Sequence, residues 1–120
     1  MRPEDREQEM LMLWARETEI VHPELALLHH IPNGGKRNLA EAAHLKRLGV
    51  KAGVPDLCLP VARGGFHGLY IELKAGKNRP TEMQKTWIDA LSAQGFAAFV
   101  CYGAAYARKV IEAYLREEKT

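Results

Sequence analysis

Three residues near the middle of the chain have the types and spacing to act on a phosphate. They are Asp56 in Gly53-Val54-Pro55-Asp56-Leu57, and Glu72 and Lys74 in Leu69-Tyr70-Ile71-Glu72-Leu73-Lys74-Ala75. Side chains alternate along an extended strand, so Glu72 and Lys74 leave one face while Leu73 leaves the other. Where a hairpin brings Asp56 opposite them, two carboxylates converge on one ammonium. Hard oxygen donors of this kind suit Mg²⁺ or Mn²⁺, which bind through one or two carboxylates and keep room for a substrate phosphate. A cation held there eases ionisation of an attacking water and neutralises charge building up on phosphorus, while Lys74 orients the water or stabilises the extra charge. Glu-x-Lys alone is a weak signal. At about one residue in sixteen for each type, it arises by chance roughly 0.4 times in a chain of this length. Its weight comes from Pro55-Asp56 at hairpin spacing upstream, and from an otherwise apolar strand in which an unpaired charge is costly. The competing reading is a solvent-exposed cross-strand ion pair at a sheet edge.

The flanking sequence supplies the elements that must position these residues. Residues 3–19 read as an amphipathic helix with Met10, Leu13 and Trp14 on one face, ended by Pro23. Ala26 to Ile31 has the composition of a short strand, followed by a turn at Pro32-Asn33-Gly34-Gly35. Asn38 can cap a second helix with apolar residues Leu39, Ala42, Ala43 and Leu45 at helical spacing and Gly49 as its stop. Asp56 to Val61 and Phe66 to Ala75 read as strands paired in a hairpin around Arg63 to Gly65. A third helix starts at Pro80-Thr81, presents Met83, Trp87, Ile88 and Leu91, and stops at Gly95. Phe96 to Tyr102 is apolar throughout, as in a strand covered on both faces. A last helix, Ala104 to Glu117, turns Ala107, Val110, Ile111, Tyr114 and Leu115 inward. This order predicts an α/β fold, a mixed central β-sheet flanked by helices.

Composition sets the outer bounds. The 120 residues are expected to form a single domain, 1–120, and 47% hydrophobic content suffices for a packed core. No run approaches the ~20 apolar residues of a membrane span, and the polar, acidic N-terminus does not read as a signal peptide, so a cytoplasmic protein is expected. Cys58 and Cys101 each sit in an apolar run and read as buried free thiols. Net charge is only +2, but its distribution is uneven. Lys36, Arg37, Lys46, Arg47 and Lys51 stand against the single acid Glu41, whereas residues 1–19 carry six acids against three bases. A polyanion would meet the middle of the chain first, although a plain solvated helix face also accounts for these charges.

Read together, the motifs resemble the VRR-NUC branch of the PD-(D/E)XK nuclease superfamily. The likeness runs from Glu7-Gln8, Leu11 and Trp14-Ala15 through His30 to Arg37 (HIPNGGKR), Leu45 to Leu57 (LKRLGVKAGVPDL) and Leu69 to Ala75 (LYIELKA), to the Gln-containing segment Thr81 to Leu91. The resemblance implies a restriction-endonuclease-like core, with Asp56, Glu72 and the Leu73 main-chain carbonyl as ligands of Mg²⁺ or Mn²⁺ and Lys74 as the catalytic lysine. It implies Glu7 as a further acid near the metal, with Glu9 as the alternative, and Gln84 beside the site. Thr81-x-x-Gln84 is also a capping box, and one amide is not expected to fill both roles. Asn33 and Gly34 could form a backbone turn beside the scissile phosphate, with Lys36, Arg37, Lys46, Arg47 and Lys51 on flanking phosphates. Of His29 and His30, on opposite faces of their strand, at most one faces the site, as a structural or phosphate-contacting residue rather than a metal ligand. Tyr70 and Trp87 read as core residues.

The expected activity is metal-assisted hydrolysis of DNA phosphodiesters. Small stand-alone members of the family resemble Holliday-junction resolvases, so branched DNA and a homodimer are expected. Two rivals belong to other classes. A non-catalytic nucleic-acid-binding module with the same fold should lack one carboxylate or the lysine, and a partner-binding domain should show neither DNA affinity nor stabilisation by Mg²⁺.

Overall fold

In Leu69–Lys74 the alternation of side chains decides the architecture. Leu69, Ile71 and Leu73 leave one face of the strand and are almost fully buried. The computed structural model describes residues 2–32 and 38–119. In chain order the elements are α1 (Pro3–Thr18), a 3₁₀ turn (Pro23–Leu27), β1 (His29–His30), α2 (Leu39–Arg47), β2 (Leu57–Leu59), β3 (Leu69–Lys74), α3 (Glu82–Ala93), β4 (Ala97–Tyr102) and α4 (Ala104–Arg116). The strands lie in the order β1-β2-β3-β4, antiparallel from β1 to β3 and parallel between β3 and β4. The fold is therefore α/β with a mixed sheet, as the order of elements implies.

Leu11 and Ala15 of α1 and Ala107, Ile111, Tyr114 and Leu115 of α4 cover the Leu69/Ile71/Leu73 face, together with Leu57 and Leu59 of β2. The opposite face carries Tyr70, Glu72 and Lys74, and α3 reaches it through Gln84. Arg63, itself buried, joins the segment after β2 to the 3₁₀ turn by an ion pair to Glu24 of 2.5 Å. The Tyr114 hydroxyl donates to the Val61 carbonyl at 2.6 Å. Among the described residues no helix is long and apolar enough to cross a membrane.

Several expected boundaries move, each for a local reason. The strand expected over residues 26–31 shrinks to His29–His30, because Pro23 opens a 3₁₀ turn that takes Ala26 and Leu27. β2 stops at Leu59, since Pro60 has no N–H for the ladder. β3 starts at Leu69 rather than Phe66, because Phe66 pairs back on Arg63 and the His67 N–H goes to Gly95. β4 is not covered on both faces. It is the last strand in the order, and Phe99 and Tyr102 are each 46% exposed. α2 forms where expected, with the Asn38 side chain accepting from the Glu41 N–H at 2.7 Å, yet none of its residues is buried and Leu39 is 89% exposed.

The approach to Asp56 depends on one glycine. Gly53 has φ +92°, and a Cβ there would lie 2.8 Å from Met83 Cγ and 2.9 Å from the Met83 carbonyl oxygen. The chain thus passes against the first turn of α3 at a point where only glycine fits. Gly53→Ala should destabilise the protein by about 1–3 kcal/mol, read as a lower urea midpoint at unchanged m-value; an unaltered midpoint would show that the close approach is not needed.

Candidate active site

The site is built by the register of one hairpin. Leu57 faces Ile71, Cys58 faces Tyr70 and Leu59 faces Leu69. One step further along, just outside β2, Asp56 falls opposite Glu72, and directly opposed residues share a face. Glu72 is 2% and Lys74 8% exposed, while Asp56 is half-buried. Asp56 Oδ2 accepts the Leu73 N–H at 2.8 Å. Lys74 Nζ lies 3.5 Å from Glu72 Oε2, and Gln84 Nε2 donates to the same oxygen at 3.2 Å. The other oxygen, Glu72 Oε1, is buried with no hydrogen-bond partner.

Two carboxyl groups this close and this dry resist joint ionisation. Burial is the largest cause that pushes Glu72 up, to about 8, and the neighbouring Asp56 adds to it, whereas Lys74 pulls it back. Burial likewise raises Asp56, against the Leu73 N–H that favours its carboxylate. An orphaned buried oxygen beside a second carboxylate costs stability unless something positive meets it. Among the described residues no group of three or more His, Cys, Asp or Glu side chains could hold a metal. Two carboxylates without nitrogen or sulfur form a sparse, hard donor set, which fits Mg²⁺ or Mn²⁺ and not a structural zinc.

Gln84 fills both of the roles that seemed exclusive. Its Oε1 accepts the Thr81 N–H at 2.8 Å, and its own N–H donates to Thr81 Oγ1 at 3.1 Å, completing the capping box. Its Nε2 is left free for Glu72. An amide has a donor end and an acceptor end, and the start of α3 is placed so that each is used.

Glu7 is held at the start of α4. Its Oε1 accepts the Ala104 N–H at 2.7 Å, so it caps the first turn of α4. The preceding Gly103, at φ +88°, has its missing Cβ 3.2 Å from that oxygen, and its N–H donates to the Lys74 carbonyl at 3.0 Å. Glu7 therefore adjoins the end of β3 through α4. The alternative acid, Glu9, is exposed on α1. Leu73 contributes its N–H to Asp56.

Lys46, Arg47 and Lys51 are exposed on and after the last turn of α2. Asn33, Gly34, Lys36 and Arg37 lie outside the described residues. Tyr70 packs edge-on against Phe96, centroids 5.4 Å apart, but Tyr70 and Trp87 are only half-buried and lie outside the core cluster in which they were expected. Cys58 and Cys101 are buried free thiols, and burial pushes Cys101 up to about 12.

Sequence reasoning missed one contact. Nδ1 of His30 lies 2.8 Å from the Asp56 carbonyl oxygen. Neither His29-His30-Ile31 nor Asp56-Leu57-Cys58 carries a local signal for this contact, which spans 26 residues.

A raised Glu72 makes a pH prediction. Its folded-state value lies above the ordinary 4.5, so folding takes up a proton; the stability this contributes is complete below pH 4.5 and is lost as pH rises through about 8. In EDTA, Tm should fall by ~5 °C or more between pH 5 and 8, and Glu72→Gln should flatten the fall; a wild-type profile already flat across that range would contradict it.

A family model described as VRR-NUC domain matches residues 2–105. A solved structure described as a VRR_NUC domain protein is similar at TM-score 0.84 and 36% identity, over 99% of this chain and 93% of that one. No curated protein matches the chain. With the acids and lysine of the β2–β3 hairpin inside the matched span, the chain belongs to the VRR-NUC family and is a nuclease-type domain for processing nucleic acids.

Proposed function

We propose that this chain is a divalent-metal-dependent DNA endonuclease, selective for branched DNA such as four-way Holliday junctions, and that it acts as a cytoplasmic homodimer. The observation that carries this reading is the buried, unpartnered Glu72 Oε1 beside Asp56, with Lys74 on the same face. Asp56 and Glu72 would hold Mg²⁺ or Mn²⁺, with the Leu73 main-chain carbonyl beside them. When bound, the cation supplies Lewis-acid stabilisation of charge on the phosphoryl group. Lys74 donates to the attacking water or to the phosphoryl oxygen that gains charge, in a site dry enough for one ammonium to count. Gln84 holds Glu72 in orientation from the start of α3. Glu7 fixes α4 against the end of β3 and so supports the site from the N-terminal helix.

Asn33, Gly34, Lys36, Arg37, Lys46, Arg47 and Lys51 would contact phosphates along the substrate. Such contacts position DNA without reading its bases, which suits recognition by shape. A two-fold pair of sites then matches two symmetric cuts in a four-way junction.

The test is cleavage of labelled four-way junction, flap and linear duplex DNA in Mg²⁺, Mn²⁺ or EDTA. Wild type should cut the junction only with metal. Asp56→Asn and Lys74→Ala should bind DNA normally but cut it ~10²-fold more slowly or worse. DNA binding that is indifferent to metal, with no cutting of any substrate, would replace the enzyme with a binding module.

A further inference from the structure

The two-residue strand β1 needs explaining, since so short an edge strand adds little to a sheet. Beyond its ladder to Leu57 and Cys58, the end of this strand directs two donors at one atom. The Asp56 carbonyl oxygen receives the Ile31 N–H at 2.7 Å and lies 2.8 Å from His30 Nδ1. A carbonyl only accepts, so Nδ1 carries the hydrogen, and both lone pairs of that oxygen are used. On one side of Asp56 the fully buried Pro55 fixes the chain; on the other the Leu73 N–H holds carboxylate Oδ2 at 2.8 Å. The Asp56 peptide is thereby held at its carbonyl, its preceding residue and its side chain. Only the His30 ring among these holds is exposed and dispensable to the core.

We infer that His30 is a positioning residue for Asp56, its ring N–H holding the peptide plane so that the carboxylate meets a divalent cation beside Glu72. The inference rests on the metal-dependent reading above. Groups that orient a ligand from outside the metal's own coordination typically change metal affinity by about 10–100-fold when removed. Loss of the ring leaves the Ile31 N–H in place, so the fold survives while the Asp56 peptide gains freedom to tilt.

Amide substitutions separate the two ring nitrogens. The Asn side-chain amide reaches where Nδ1 lies, whereas the longer Gln amide reaches toward Nε2. Mn²⁺ affinity is measured by calorimetry for wild type, His30→Ala, His30→Asn and His30→Gln, alongside four-way junction binding in EDTA. His30→Ala should bind Mn²⁺ ~10-fold more weakly or worse, His30→Asn should recover most of the loss, His30→Gln should not, and junction binding in EDTA should be equal for all. Equal Mn²⁺ affinity in wild type and His30→Ala overturns the inference alone. Recovery by Gln in place of Asn overturns it in favour of a direct role for Nε2. Absence of Mn²⁺ binding by the wild type overturns the metal-dependent reading, and this inference with it.

Discussion

Two carboxylates facing each other across the β2–β3 ladder are the constraint around which this molecule is arranged. Taking a charged carboxylate out of water costs several kcal/mol, and a second one beside it makes matters worse. The protein tolerates the pair by surrounding it with donors: the Leu73 N–H on Asp56, and Lys74 and the Gln84 amide on one oxygen of Glu72. The remaining oxygen is left bare. The register itself is secured from the other face of the same strands, where Leu57, Leu59, Leu69, Ile71 and Leu73 pack against α1 and α4. A slip of one residue would drive Glu72 into that apolar layer and expose the leucines. The packing that stabilises the fold therefore also fixes the placement of its least stable residues.

The helices reach the site by their ends rather than their sides. α3 offers its capping glutamine, and α4 begins where the Gly103 N–H closes on the Lys74 carbonyl and Glu7 of α1 accepts from Ala104. Capping groups normally serve only to satisfy the open N–H groups of a first turn. Here two of them couple helix starts to the end of the central strand. Helix packing and site geometry thus share the same few hydrogen bonds.

What could be read from the chain beforehand follows this division. The strand pair, its hairpin and the shared face of Glu72 and Lys74 were legible because period-2 alternation is a local property that leucine burial enforces. The extents of α1, α3 and α4 were legible from apolar spacing and from Thr81 and Gly95 as punctuation, but the inward faces of two of them were not: α1 buries Leu11 and Ala15 while Met10 and Leu13 are exposed, and α3 buries none of its residues. The details that failed depend on neighbours far away in sequence. β4 looked doubly covered because FAAFVCY carries no polar residue, yet position at the sheet edge leaves Phe99 exposed. Ala26 and Leu27 looked extended until Pro23 set a 3₁₀ turn. The double use of Gln84 and the grip of His30 on Asp56 depend on where α3 and β1 dock, which no local pattern encodes.

The exposure of α2 has a consequence for how the molecule opens. Its nine residues bury no side chain, and helices shorter than about 12–15 residues are marginal in water without packing to support them. Its own backbone ladder and the Asn38 cap support α2 among the described residues. Its amide protons should therefore exchange with solvent through local unfolding that leaves the sheet intact, so α2 is a cooperative unit separate from the core. Anything that grips Lys46 and Arg47 in their helical arrangement is then read out as a shift in that local equilibrium, set by how much better it binds the helix than the open chain.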